Sequence, residues 1–304
     1  MKISSLDPEF KTIIKLAEKL ANERRPIILV GETGSGKTFL AKFIHLKGYF
    51  KSEPFISLRI SDLPESLVES DIFGVEKGVA TGVVSRQGIL ESVNLGTICI
   101  AGLEDVSFKT QALFLRVLET GEFDRIGGKR KLKFKGRIMV EFQQDPNILI
   151  KEKKLRPDIY YRLNVFEIFV PSLRERKKDI LPIFKQFLKE EFKKRKIKNF
   201  EIGEDLKDFL LSHKWYGNLR ELRNVAVYLS MKDTPVLREI HLPPNYLASV
   251  SDPVETALDK RFSLEELKKA YIKSVLERCG GNRSEAARWL KISRKNLWEQ
   301  LKEK

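Results

Sequence analysis

Gly31-Glu32-Thr33-Gly34-Ser35-Gly36-Lys37-Thr38 has the spacing of a complete phosphate-binding loop. It follows the short apolar run Ile27-Ile28-Leu29-Val30. A helical pattern through Phe39, Leu40, Phe43 and Ile44 comes after it. Strand, glycine-rich loop, helix is the context that gives this spacing structural meaning. Gly31, Gly34 and Gly36 allow backbone N–H groups to wrap a phosphate without Cβ clashes, and the helix N-terminus adds a positive dipole. Lys37 is expected to meet the β and γ phosphates, and Thr38 to offer its hydroxyl to magnesium. With Glu32, Thr33 and Ser35 these residues form the expected binding set for ATP or ADP.

A second apolar strand, at Thr97-Ile98-Cys99-Ile100, ends in Ala101-Gly102. A phosphate-loop ATPase needs acids at such a strand end, one to hold magnesium and one to take a proton from water. Alanine and glycine can do neither. The sequence therefore predicts a chain built to hold a nucleotide and poorly equipped to hydrolyse it, with magnesium held more weakly.

Further apolar runs predict strands at Phe55 to Ile60, Ile138 to Phe142 and Val165 to Val170. Helical patterns lie between them, clearest at Thr110 to Leu118. An earlier helix, Lys11 to Asn22, places Ile13, Ile14, Leu16, Ala17 and Leu20 on one face. This alternation implies a mainly parallel sheet covered on both faces. Beyond Pro171 the pattern is helical, at Ile180 to Phe192, Glu204 to Ser212 and Leu219 to Ser230. His241 to Lys260 holds Pro243, Pro244 and Pro253 among Ser, Asp and Asn, and reads as a linker. The expected domains are 1–170, an α/β nucleotide-binding subdomain; 171–240, a helical lid; 241–261, a linker; and 262–304, an all-α module.

Composition narrows the partners. Lys and Arg number 57 against 42 Asp and Glu, a formal net charge of +15. That favours a polyanion, nucleic acid first. Cys99 and Cys279 lie far apart and suggest neither a disulfide framework nor a zinc site, which fits a reducing cytosol. No apolar run reaches 18 residues and the N-terminus has no signal-peptide core, so a cytoplasmic protein without membrane attachment is expected.

Several segments carry a family resemblance. Glu69 to Gly78 (ESDIFGVEKG) resembles a segment of sigma-54-dependent transcription activators, which are AAA+ ATPases. So do Gln111 to Leu118 with Gly121-Glu122-Phe123, Arg156 to Phe166 (RPDIYYRLNVF), Pro171 to Ile180 (PSLRERKKDI) and Trp215 to Asn224 (WYGNLRELRN). The resemblance runs from about Lys11 to the C-terminus. It implies an AAA+ domain with helical lid and a helix-turn-helix. It also implies that Arg156 and Arg162 reach into a neighbouring subunit's nucleotide site, and that Arg220 is the lid arginine sensing nucleotide. The departures cluster. Ala101 and Gly102 stand at the Asp-Glu positions, Arg59 where an Asn restrains the catalytic glutamate, and Gln143 at the sensor Asn. Gly78 to Val83 reads GVATGV where the family's sigma-factor loop reads GAFTGA, so Ala80 replaces its aromatic residue.

Phe262 to Lys302 resembles the Fis-type helix-turn-helix of these activators. A helix from Ser263 to Arg278 presents Leu264, Leu267, Tyr271, Val275 and Leu276, and Gly280-Gly281 ends it. Asn282 and Glu285 form a capping box, Ala286, Ala287 and Leu290 pack inward, Lys291-Ile292 turns, and Ser293 caps the last helix. Leu297 and Leu301 face the core, leaving Arg294, Lys295 and Asn296 outward for DNA. From Phe262 to Lys304 there are 11 Lys and Arg against 6 Asp and Glu, a net +5. The family's module dimerises, so a palindromic site in double-stranded DNA is expected.

The leading expectation is a DNA-binding transcription regulator that binds ATP or ADP, with impaired hydrolysis and impaired remodelling of sigma-54 RNA polymerase. It would self-associate as a dimer or ring. One alternative is an active ATPase and conventional activator, drawing its carboxylates from Glu104, Asp105 or Glu141. Another is a silent subunit in a mixed ring with an active paralogue. Little chain precedes the phosphate loop, which leaves no room for a receiver domain and places control elsewhere.

Overall fold

The computed structural model describes residues 5–78, 84–195, 200–232, 234–249, 262–279, 282–294 and 296–297. The chain divides into two compact units, Met1–Lys198 with Lys207–Val227, and Asn199–Leu206 with Tyr228–Lys304.

In the first unit the strands run β1 (Ile27–Val30), β2 (Phe55–Arg59), β3 (Thr97–Ala101), β4 (Glu122–Asp124), β5 (Lys131–Lys133), β6 (Arg137–Phe142) and β7 (Phe166–Phe169). Five of them form a parallel sheet of order β2-β3-β6-β1-β7. The four strand expectations agree with β2, β3, β6 and β7 to within a residue at each end. Alternate side chains enter opposite cores. Ile28, Val30, Ile98, Ile100, Ile138 and Val140 pack with Phe114, Leu149 and Ile159 on one face. Ile27, Leu29, Cys99, Met139 and Ile168 pack with Ala17, Leu40, Phe43 and Ile44 on the other. Each such buried aliphatic or aromatic side chain stabilises by about 1.5–3 kcal/mol. Cover on both faces is why the central strands β1, β3 and β6 read as nearly continuous apolar runs, while the edge strands β2 and β7 admit Ser57, Arg59 and Glu167.

The second face carries the phosphate loop's helix, Lys37–Lys47, and the N-terminal helix, Pro8–Lys19. Asp7 caps the latter, its Oδ1 accepting from Phe10 N at 2.9 Å. Leu16 is exposed, contrary to the expected face; Phe10, Ala17 and Leu20 carry the burial. The chain then turns as a 3-10 segment, Leu20–Asn22. Arg137, buried at the start of β6, fixes that turn by donating from Nη1 to the carbonyls of Ala21 and Glu23 at 3.0 and 3.1 Å. Burial lowers the Arg137 pKa to about 10.

β4 and β5 form an antiparallel hairpin that the sequence reading missed. Three-residue strands of alternating charge carry no apolar run. Helices Lys177–Lys194, Glu204–Ser212 and Asn218–Leu229 follow β7. Strands do not stop at Pro171: β8 (Glu201–Ile202) pairs in parallel with β9 (Val236–Leu237) in the second unit. Two-residue strands so far apart have no periodicity to read.

The second unit also contains helices Pro244–Ser249, Leu264–Arg278 and Arg283–Trp289. The first of these lies where the sequence reads as linker. Proline suits its first turn, where an N–H has no helical partner. Ile272, Val275, Ala286, Ala287 and Leu297 form a small core. Ile272 takes the inward place expected of Tyr271, which is exposed like Leu264. Asn282 Oδ1 accepts from Ser284 N and Glu285 N at 3.1 and 3.3 Å, and Ser293 Oγ accepts from Asn296 N at 3.1 Å. Both residues therefore cap as expected, but the return bond that would complete the Asn282–Glu285 box is not made: Asn282 N donates to the Cys279 carbonyl at 2.9 Å instead. Among the described residues no helix is long and apolar enough to cross a membrane.

Candidate nucleotide site

The phosphate loop leaves β1 through Gly31 and enters the helix at Lys37. Gly34 and Gly36 have φ of +77° and +107°, a left-handed backbone that favours glycine. At Gly34 a Cβ would also collide with the carbonyl oxygen of Gly217. Lys37 is 6% exposed. Its Nζ donates to the carbonyls of Gly31 at 2.6 Å and Glu32 at 3.0 Å, which holds the ammonium under the loop. Burial lowers its pKa, and the carboxylates of Glu141 and Glu104 oppose that shift.

Other side chains hold the loop from outside. Arg174 clasps the Glu32 carboxylate with both terminal nitrogens. This hydrogen bonding brings the Glu32 pKa below its ordinary range. Asn218 is fully buried, donating to Glu32 Oε2 at 3.1 Å and to the Thr33 carbonyl at 3.0 Å. Arg176, also buried, donates to the Ser35 carbonyl at 2.5 Å and stacks on the Phe10 ring at 4.2 Å. Asp179 accepts from Ser5 Oγ and Leu6 N, both at 2.6 Å. Sequence reasoning quoted the segments containing Arg174, Arg176 and Asn218 but assigned those residues no role. Their signal is tertiary: Arg174 meets the Glu32 carboxylate 142 positions away, and the buried Arg176 and Asn218 meet the carbonyls of Ser35 and Thr33, 141 and 185 positions away.

The loop borders a cavity of about 690 Å³. Thr33 to Thr38, Arg59, Ala101, Gly102, Glu141, Gln143, Arg176, Arg220 and Arg223 are among the residues lining it. Every expected binding residue except Gly31 and Glu32 therefore lines it directly, and Arg220 joins them. The cradle fits the phosphates of a nucleotide. Its N–H groups border the cavity, four arginines and a lysine offer positive charge, and the buried Ser35 Oγ has no hydrogen-bond partner among the described residues. Thr38 and one carboxylate, Glu141, also suit a magnesium ion that would draw its remaining ligands from phosphate and water.

The strand-end side differs. Gly102 has φ +87°, and a Cβ there would stand 2.7 Å from Asp105 Oδ2. The turn Leu103–Asp105 follows directly. Glu104 is half-buried, its Oε2 has no hydrogen-bond partner among the described residues, and burial raises its pKa. Neither Glu104 nor Asp105 lines the cavity. Of the three carboxylates that could replace the missing acids, Glu141 alone does. Gln143 accepts from Thr33 Oγ1 at 2.9 Å, and Arg59 lies 3.7 Å from Asp62.

Arg156 and Arg162 do not line this chain's cavity. Arg156 precedes the helix Pro157–Leu163 and pairs with Asp158 at 2.6 Å. Arg162 is exposed and donates to the Leu118 carbonyl at 3.1 Å. In the second unit Arg294 and Asn296 are exposed beside the Ser293 cap. Lys295, Leu301, the Gly280-Gly281 pair and residues 79–83 of the GVATGV segment lie outside the described residues.

Three family models match the chain. They are a Sigma-54 interaction domain over residues 3–169, an AAA+ ATPase lid domain over 174–258, and a bacterial regulatory protein of the Fis family over 263–303. Among curated relatives, the transcriptional regulatory protein FlbD of Caulobacter vibrioides is 34% identical, covering 98% of this chain and 69% of its own. The transcriptional activator RocR of Bacillus subtilis is 34% identical, covering 99% and 68%. Among solved structures, NtrX from Brucella abortus in complex with ADP aligns with a TM-score of 0.78 at 28% identity, covering 99% of this chain and 69% of that one. The same protein with ATP aligns with a TM-score of 0.74. The chain belongs to the sigma-54 activator family, with that family's AAA+ domain, its lid and a Fis-type helix-turn-helix.

Proposed function

We propose that this protein is a cytoplasmic, DNA-binding transcription regulator that holds ATP or ADP and hydrolyses it slowly or not at all. The carrying observation is the composition of one cleft. Its phosphate cradle is complete, while Ala101 and Gly102 stand where the attacking water would need acids. No proton can pass to either residue, and Gly102's left-handed backbone, φ +87°, is one that residues with a side chain rarely adopt. The ADP and ATP complexes of NtrX support nucleotide binding in this fold. Bound nucleotide would stabilise the domain by mass action and serve as a structural or regulatory ligand. Ala80 in place of the loop aromatic argues for weakened remodelling of sigma-54 polymerase.

The Fis-type module supplies the DNA contact, through Arg294, Lys295 and Asn296 on the last helix, to a palindromic site read by a dimer. A second reading, a silent subunit in a mixed ring, is favoured by Arg156 and Arg162. Both stand outside their own chain's cavity and would act in trans on a neighbour.

Calorimetry with ATP and ADP tests the nucleotide reading: binding that disappears in Lys37→Ala supports it, and absence of binding to the unaltered protein contradicts it. For DNA, affinity is expected to fall steeply with salt. Arg294→Ala is expected to cost about 1–3 kcal/mol of discrimination between sites. An unchanged site preference would remove the last helix from that role.

A further inference from the structure

We propose that Glu141 is the carboxylate that meets the nucleotide's divalent cation, taking over from one strand away the place left by Ala101. The inference rests on the reading of this cleft as a nucleotide site. β3 and β6 are neighbours in parallel register, with Ala101 opposite Glu141 and Cys99 opposite Met139. Cys99 and Met139 enter the core beneath the phosphate loop's helix. Two residues further along each strand, Ala101 and Glu141 point to that same face. Both line the cavity together with Lys37 and Thr38.

The displacement is small enough for a side chain to span. Adjacent strands lie about 4.8 Å apart, and glutamate is one methylene longer than the aspartate expected on β3. Alanine at 101 leaves lateral room for it. Glu141 is 6% exposed, and Cys99 Sγ donates to its Oε1 at 3.1 Å. Burial pushes the Cys99 thiol well up, so it stays a donor. Glu141 Oε2 makes no hydrogen bond to any described residue. A carboxylate anchored by one oxygen, beside a threonine hydroxyl and a phosphate cradle, matches magnesium's habit of taking one or two protein oxygens along with phosphates and water. It supplies a ligand without a base for water, which is consistent with a nucleotide held and not consumed. Cys99 acts here as a positioning residue.

Glu141 could instead serve only as counter-ion to Lys37. Calorimetry of ATP binding with magnesium, and again with EDTA, separates the two roles. In the unaltered protein magnesium is expected to tighten ATP roughly 10- to 100-fold. In Glu141→Gln that enhancement falls to about twofold or less, while metal-free binding is unchanged or tighter because a negative charge has left the phosphate site. Metal-free binding also reports that the variant is folded. Glu141→Ala should lose the enhancement, and the double variant Ala101→Asp, Glu141→Ala should regain it. An unaltered enhancement in Glu141→Gln, or an equal loss with and without metal, would overturn the proposal. ATP binding indifferent to magnesium in the unaltered protein would overturn it alone. No ATP binding under either condition would overturn the nucleotide reading as well.

Discussion

The two walls of the cleft are built from different materials. The phosphate-loop wall is mainly main chain: N–H groups, left-handed glycines and carbonyls holding Lys37. Arg174, Arg176 and Asn218 brace it from behind. The strand-end wall depends on which residue stands at each of five positions, Arg59, Ala101, Gly102, Glu141 and Gln143. The backbone groups of the first wall change only with the fold, whereas side chains, Lys37 included, can be changed one codon at a time. A cleft built this way could keep binding if it lost chemistry, which is the form the proposed function requires.

The largest expected effect lies on the first wall. Lys37→Ala should weaken ATP about 1,000-fold, ~4 kcal/mol, by calorimetry. A loss below tenfold would mean that the cradle binds without its lysine. Next is the brace. Arg176→Ala removes the buried guanidinium that donates to the Ser35 carbonyl and covers the Phe10 ring, and should cost about 2 kcal/mol of folding stability in denaturant titration. A cost under 1 kcal/mol would show the brace to be dispensable. The second wall should resist restoration. Gly102→Glu forces a left-handed backbone on a long side chain against Asp105, and should destabilise by about 2 kcal/mol without bringing turnover. A stable, hydrolysing Ala101→Asp, Gly102→Glu variant would break the contrast.

The smallest effect concerns pH. The folded-state pKa of Glu32 lies below its ordinary value of 4.5 because Arg174 bonds the carboxylate. Its contribution is therefore complete above that value and disappears as pH falls through the lowered one. The group is partly exposed, so the effect should be modest. The melting temperature of Glu32→Gln should lie below that of the unaltered protein at pH 7 and converge with it as the pH falls through the lowered pKa. A gap that persists in acid would assign the stability to something other than this ion pair.

What was legible in the sequence was local. The phosphate loop is a contiguous spacing, and β1, β3 and β6 are largely apolar runs because both their faces are buried. The caps at Asn282 and Ser293 depend on neighbours two or three residues away. Features fixed by distant partners were not legible. β8 and β9 need each other, Arg137 needs the turn at Ala21, and Asn218 needs Thr33. Helical periodicity placed Leu16 and Tyr271 inward, but a periodic face does not say how much of itself will be covered. Glu141 was named among candidate carboxylates. The register that sets it beside Ala101 became visible only with β3 and β6 in place.

The central claim is that nucleotide is held and not consumed. Phosphate release from saturating ATP and magnesium, followed for hours on the unaltered protein and on Lys37→Ala, tests it most directly. The account predicts that the unaltered protein, though loaded with ATP, releases phosphate no faster than the variant. Release that depends on Lys37 and proceeds at about 1 s⁻¹ or faster, within the ordinary enzymatic range, would contradict it and make the chain a working ATPase.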